Sequence, residues 1–206
     1  MYFYFKSNDE LIMSMIKSGV LHTDNVIEAF RIVDRKYFVP EELSEHLYED
    51  RPLPIGKNQT ISQPSTVAFM LELLEVKEGD CILDVGSGSG WTTGLLGSLV
   101  GKSGRVEGLE RVDELVEVGK NNIAKLNMPH VSIQKASDKL GMPDKTFDAI
   151  LVSAAAEEIP KELFEQLNMG ANLVIPIRNS IFKFKKTPQG IESREYTGFA
   201  FVPLIY

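Results

Sequence analysis

A single cysteine, Cys81, stands in 206 residues, so the chain has no internal disulfide and no all-cysteine metal site. Histidine is almost as scarce: His22, His46 and His130 are scattered without metal-ligand spacing and imply no metal. Basic residues are in deficit. Lys plus Arg number 22 against 29 Asp plus Glu, and the formal net charge of −7 disfavours nucleic acid and anionic membranes, which bind through phosphate neutralisation. No apolar run approaches the roughly 20 residues a bilayer span needs. The start, MYFYFKSNDELIMSM, lacks the basic-then-apolar order of a signal peptide. These absences predict a cytoplasmic globular protein. No Gly-Lys-Ser or Gly-Lys-Thr closes a glycine run, which excludes a Walker phosphate loop, and ATP hydrolysis is not indicated. There is no internal repeat and no low-complexity segment.

What is present suits one structural unit with a real core: 43% of residues are hydrophobic and 25% charged. Ser7 or Asn8 caps a helical pattern of Leu11, Ile12, Met15 and Ile16, and Thr23 and Asp24 open another with Val26, Ile27, Phe30 and Val33. Arg51 to Gln59 is punctuated by Pro52, Pro54 and Gly56 and reads as a long loop, neither helix nor strand. Residues 1–63 are therefore expected to form N-terminal helices and a loop packed on a core of residues 64–206.

In that core, strands and helices alternate. Helices are predicted over Pro64–Leu74, Trp91–Val100, Asp113–Leu126 and Pro160–Leu167, and strands over Cys81–Val85, Arg105–Leu109, His130–Lys135, Phe147–Val152 and Asn172–Ile177. Parallel strands need crossovers of about a dozen residues, so the fold class is α/β with a mostly parallel sheet. The end departs from this: Phe182 to Lys185, Glu192 to Tyr196 and Phe199 to Leu204 read as strands of an antiparallel C-terminal edge.

Asp84-Val85-Gly86-Ser87-Gly88-Ser89-Gly90-Trp91 lies between a strand and a helix, where glycines let the backbone approach a ligand. A dinucleotide fingerprint starting at Gly86 requires glycine at position 91, where this chain has Trp91. That weakens an NAD reading. The stretch resembles the first motif of Rossmann-like methyltransferases that bind S-adenosylmethionine, and implies that fold, doubly wound with helices on both faces. Glu110 ends the next strand, where an acid can bond both ribose hydroxyls. It also suits a plain acid before a helix. In those enzymes the acid matching Asp84 positions the methionine end through the glycine loop.

Upstream, Pro54-Ile55-Gly56-Lys57-Asn58-Gln59-Thr60-Ile61-Ser62-Gln63-Pro64 resembles the signature loop of protein-L-isoaspartate (D-aspartate) O-methyltransferases. Arg35 to Pro40 before it, the glycine motif after it and Phe201 to Leu204 at the end extend the resemblance over roughly residues 20 to 205. The resemblance implies methyl transfer from S-adenosylmethionine, released as S-adenosylhomocysteine, to the free α-carboxylate of L-isoaspartyl residues. The substrates are isoaspartyl peptides and flexible protein segments, and repair proceeds through a succinimide. The enzyme is expected to be a monomer that needs no metal.

By the same resemblance Ser62 and Thr60 are the catalytic pair that orients the carboxylate. Gln59, Thr60, Ile61, Ser62, Asp84, Gly86, Ser87, Gly88, Ser89, Gly90 and Glu110 are expected at the cofactor. Ile55, Gly56, Val202 and Pro203 are expected at the peptide. A carboxylate with a reference pKa of about 3.5 is ionised at neutral pH, so hydroxyls that place it matter more than a base. Ser62 also suits the cap of the helix that follows. Where the family has Gly-Asp-Gly for the adenine amine, this chain reads Ala136-Ser137-Asp138, which leaves Asp138 or Ser137 for that contact. Cys81 reads as a buried inert thiol, and Trp91 as core packing or as a flank of the pocket. Two rivals stay open: a same-fold enzyme for another carboxylate, and a silent cofactor-binding protein.

Overall fold

The computed structural model describes residues 5–205. Helices α1 (Asn8–Lys17) and α2 (Asp24–Ile32) lead through two short 3₁₀ turns into strands β1 (Leu53–Gly56) and β2 (Gln59–Ile61). Then come α3 (Pro64–Leu74), β3 (Cys81–Val85), α4 (Trp91–Val100), β4 (Arg105–Glu110), α5 (Asp113–Ala124) and β5 (Val131–Lys135). The chain closes with β6 (Phe147–Val152), α6 (Lys161–Glu165), β7 (Leu167–Ile177), β8 (Ser180–Thr187) and β9 (Gly190–Thr197).

Seven strands form one sheet in the order β5-β4-β3-β6-β7-β8-β9, parallel from β5 to β7 and antiparallel from β7 to β9. The chain moves outward from β3 to β5 and returns on the other side at β6. That places the topological switch at the carboxyl ends of β3 and β6, where open α/β sheets bind ligands.

Alternation along the strands splits the core between two faces. Ile82, Val106, Ile133, Ala149 and Val174 point toward α1 to α5, whereas Leu83, Val85, Leu109, Ile150 and Leu173 point toward Leu140, Leu163 and Phe184. Both faces are covered, but unequally. The second has only the five-residue α6 and a loop through Leu140 and Met142.

The N-terminal helices belong to the first face. Ser7 Oγ caps α1 by accepting from Glu10 N at 3.2 Å. Trp91 Nε1 donates to Val33 O at 3.0 Å and its ring meets Phe30 edge-on at 5.6 Å, so Trp91 packs in the core while it also borders a cavity at the glycine loop. Glu72 on α3 accepts from the amides of His22 and Thr23 at 2.8 and 2.9 Å.

Two sequence expectations change. Residues 51–59 are not all loop, because β1 and β2 form a hairpin with Leu53 opposite Ile61 and Pro54 opposite Thr60. Leu53 and Ile55 face inward while Pro54 and Gly56 face out, and Lys57 and Asn58 turn the chain with φ of 53° and 58°. Pro54 is tolerated because this ribbon has only two strands and therefore free edges.

The second change concerns residues 199–204, which form no strand in the sheet. After Gly198, at φ 95°, the chain leaves β9. It then hooks onto Ala155, whose N–H donates to Val202 O and whose carbonyl accepts from Leu204 N, both at 2.8 Å. Among the described residues no helix is long and apolar enough to cross a membrane.

Candidate active site

The glycine loop after β3 is held by hydrogen bonds from the neighbouring strand β4 and from helix α5. Leu109 O at the end of β4 accepts from Gly86 N and Ser87 N at 2.8 and 3.0 Å, and Asn122 Nδ2 on α5 holds Ser89 O at 3.0 Å. Glycine is required at two places. A Cβ on Gly88 would stand 3.3 Å from Ile55 Cδ1, and one on Gly90 would stand 3.0 Å from Ile133 Cδ1 and 3.3 Å from Gly119 O. Both have positive φ.

Glu110 braces the loop: Oε2 accepts from Gly88 N at 2.9 Å and Oε1 from Val112 N at 2.8 Å. It still lines the cleft, and each oxygen keeps a lone pair for a ligand.

Asp84 is fully buried below the loop and does not border the cleft. Thr93 Oγ1 donates to its Oδ2 at 2.6 Å, while Oδ1 has no partner. Burial pushes its carboxyl up to about 7, aided by the Glu110 charge and opposed by Thr93 and the nearby Ser153 hydroxyl. Asp84 therefore lies beneath the glycine loop and not in the cleft.

Three spaces that share lining residues border the hairpin. A cleft of about 660 Å³ runs over Val85, Gly86, Gly88, Leu109 and Glu110, with Gln59, Thr60 and the 202–205 segment on its other side. A smaller cavity of about 290 Å³ is lined by Thr60, Ser62, Ser87, Ser89, Thr92 and Ser153, and Ser87 Oγ is buried there without a partner. A groove on the far side carries Ser62, Thr60, Ser65, Ser153, Phe199 and Val202.

Thr60 and Ser153 border all three spaces, and Ser62 borders the last two. Ser153 follows β6, where its N–H donates to Val85 O at 2.9 Å. No recognisable motif marks it in the sequence. Its position one residue past a predicted strand, opposite the glycine loop, was the one available signal.

Ser62 does not cap α3. The cap position is Gln63, whose side chain makes no capping bond, and the helix start is satisfied from a distance by Asp50 Oδ1, which accepts from Ser65 N at 2.8 Å. The Ser62 hydroxyl makes no hydrogen bond among the described residues and is left for a ligand.

The other expected residues are only partly brought together. Gln59, Gly86, Gly88, Val202 and Pro203 line the large cleft, and Ile61, Ser87 and Ser89 the small cavity. Ile55 packs under the hairpin against the glycine loop, Gly56 starts its turn, and Gly90 packs on α5. Ser137 and Asp138 do not line the cleft. Ser137 Oγ accepts from Lys139 N at 3.2 Å, and Asp138 borders a separate hollow beside Glu162 and Glu165. The cleft wall there is Ala136, Lys139, Leu140 and Gly141. Buried Gln166 holds that wall by accepting from Met142 N at 2.7 Å and donating to Leu140 O at 2.9 Å.

The histidines are occupied locally. His22 pairs with Glu72, His46 with Glu49, and His130 Nε2 meets Gly97 O at 2.9 Å. No group of His, Cys, Asp and Glu among the described residues is arranged to hold a metal. Cys81 is half-buried, and burial raises its thiol pKa, which fits an inert thiol.

The glycine cradle, the acid at the end of β4 and a partnerless buried hydroxyl at Ser87 together fit a nucleoside with a polar tail, such as S-adenosylmethionine. Comparison with known proteins agrees. A profile of the protein-L-isoaspartate(D-aspartate) O-methyltransferase family matches residues 6–206. A protein-L-isoaspartate O-methyltransferase of Ignicoccus hospitalis is 40% identical over 202 residues, covering 95% of this chain and 96% of the relative. One from Methanopyrus kandleri is 39% identical, covering 98% and 92%. A Plasmodium falciparum structure described as the same kind of enzyme, in complex with S-adenosyl-L-homocysteine, superposes with a TM-score of 0.86. It is 28% identical and covers 98% of this chain and 99% of its own.

Proposed function

The chain belongs to the protein-L-isoaspartate(D-aspartate) O-methyltransferase family, and on that premise we propose that Ser62 and Thr60 orient the substrate carboxylate at the junction of the cleft and the groove. The enzyme transfers a methyl group from S-adenosylmethionine to L-isoaspartyl residues of damaged peptides and proteins, which initiates their repair. When bound, S-adenosylmethionine supplies an electrophilic sulfonium methyl and leaves as S-adenosylhomocysteine.

The chain's own residues then have three tasks. Gly86, Gly88 and Glu110 would hold the nucleoside, and Ser87 and Ser89 its polar tail. The α-carboxylate is already ionised at neutral pH, with a reference pKa of about 3.5, so the site needs placement and not a base. Ser62 Oγ–H and Thr60 Oγ1–H donate to that carboxylate, and Val202 and Pro203 with Ile55 and Gly56 shape the peptide side. Water exclusion helps, because opposite charges neutralise as the new bond forms.

The observation that carries this reading is that hydroxyls at Thr60, Ser62 and Ser153 border the peptide groove and the space above the glycine loop at once. Among the described residues, the groove is lined by no charged side chain. A carboxylate entering it meets hydroxyls and backbone, not a competing acid.

We further propose that residues 1–63 and 64–206 act as one unit, supported by their common core face. In this reading the enzyme works in the cytoplasm as a monomer, and its net charge of −7 supports action on neither nucleic acid nor an anionic membrane.

The test is methyl transfer from labelled S-adenosylmethionine to a matched peptide pair carrying Asp or isoAsp at one position, scored as base-labile methanol. The expected result is transfer to the isoAsp peptide alone, with kcat/KM lowered about 100-fold in Ser62→Ala. Transfer to some other carboxylate only, or none with the cofactor still bound, would overturn it.

A further inference from the structure

Arg35 is 0% exposed, yet among the described residues no carboxylate bonds its guanidinium. Its NH1 donates to the carbonyls of Leu47 and Glu49, each at 3.1 Å, and its NH2 to those of Arg51 and Ser62, each at 3.0 Å. Ile61 O lies at 3.5 Å from NH2. Burying a guanidinium is costly, and an apolar side chain would fill the same volume without that penalty. What only the planar fork does is hold several carbonyls at fixed spacing.

Those carbonyls come from two places in the chain. Residues 47–51 lead into β1, and Ser62 follows β2, so the fork closes the base of the hairpin. The closure also brings Asp50 to the start of α3, where its carboxylate accepts from Ser65 N at 2.8 Å and from Gln63 Nε2 at 3.2 Å. Asp50 thereby relieves Ser62 of capping the helix. On its flat face the guanidinium lies 5.3 Å from the centre of the Trp91 ring, the residue that follows the glycine loop. One side chain thus references Ser62 to the cofactor's loop.

We infer that Arg35 is a positioning residue that sets the place of the Ser62 hydroxyl relative to the glycine loop through the Ser62 carbonyl and the 47–51 segment. This rests on the reading of Ser62 given above. The charge of Arg35 does not reach the substrate. Its contribution is distance: an error of about 1 Å at a reacting group can cost roughly 100-fold in rate.

The test is a double-mutant cycle between Arg35→Lys and Ser62→Ala, with Arg35→Met as a second variant, on the full chain. Lys keeps the charge but cannot span four carbonyls. In the parent background Arg35→Lys is expected to lower kcat for the isoAsp peptide about 30-fold while the S-adenosylmethionine Kd, measured by calorimetry, moves less than about threefold. In the Ser62→Ala background the same change should lower kcat less than about threefold. Millimolar guanidinium should restore part of the kcat of Arg35→Ala, and none when Ser62→Ala is also present.

Equal losses in both backgrounds would overturn the positioning role, as would failure of both Arg35→Lys and Arg35→Met to fold. If Ser62→Ala alone leaves transfer intact, the reading of Ser62 falls first, and the cycle shows this before Arg35 is changed.

Discussion

Asp84 shows how one residue can be plain in the sequence and still surprise in the structure. The motif places it at the end of β3, but burial and the missing partner of Oδ1 are consequences of packing. Its carboxyl is raised from 3.8 to about 7, so between these values the folded protein holds a proton that the unfolded chain has released. Stability from this group therefore falls as pH rises from about 4 to about 7, and is level above that. The difference is on the order of 4 kcal/mol at most. Melting temperature followed from pH 4.5 to 8 in the unliganded protein should show this decline, and Asp84→Asn should flatten it. A slope unchanged in Asp84→Asn would refute the assignment.

Residue positions legible in the sequence were those set by neighbours in the chain. Gly88 and Glu110 are examples, because the strand–loop–helix context dictates a close backbone approach and an acid one strand away. Arg35 belonged to a legible motif, but its role was hidden because its carbonyl partners lie 12 to 27 residues further on.

At the scale of elements, the hairpin and the 136–141 wall decide the site. Pro54 and Gly56 mask a two-residue turn at Lys57 and Asn58, whose φ values above zero match the twist of the flanking strands. The inward Leu53 and Ile55 were the period-2 signal beneath those breakers. The wall depends on Gln166, which answers the backbone of Leu140 and Met142 from the end of α6. Gln166→Leu leaves those buried groups unpaired, at a cost of about 1–3 kcal/mol, and should raise the S-adenosylmethionine Kd about tenfold. Ser137→Ala and Asp138→Ala should each leave that Kd within about twofold, since neither side chain lines the cleft. Calorimetric titration of the three variants checks the contrast, and a larger effect at Asp138 would restore it as the adenine contact.

For the whole molecule, the first core face joins α1 and α2 to the sheet, so the N-terminal helices should not unfold separately. Tryptophan fluorescence from Trp91 and far-UV circular dichroism should give coincident urea transitions. Trp91→Phe, which removes the donor to Val33 O together with the fluorophore, should shift the circular dichroism transition as a whole by about 1–3 kcal/mol. Two separate transitions would refute a single unit.

The sequence by itself determined the α/β class with its mostly parallel sheet, the glycine cradle with its acid and the loop that resembles the family's signature. Each of these is written in local periodicity or in residues a few positions apart, where backbone geometry leaves few choices. Only the tertiary structure decided that Ser62 is free of the α3 cap, that Ser153 joins it, and that Arg35 ties both arms of the hairpin base. Those are outcomes of long-range contact: which buried donor meets which carbonyl depends on how layers pack, and packing is settled by the whole chain at once.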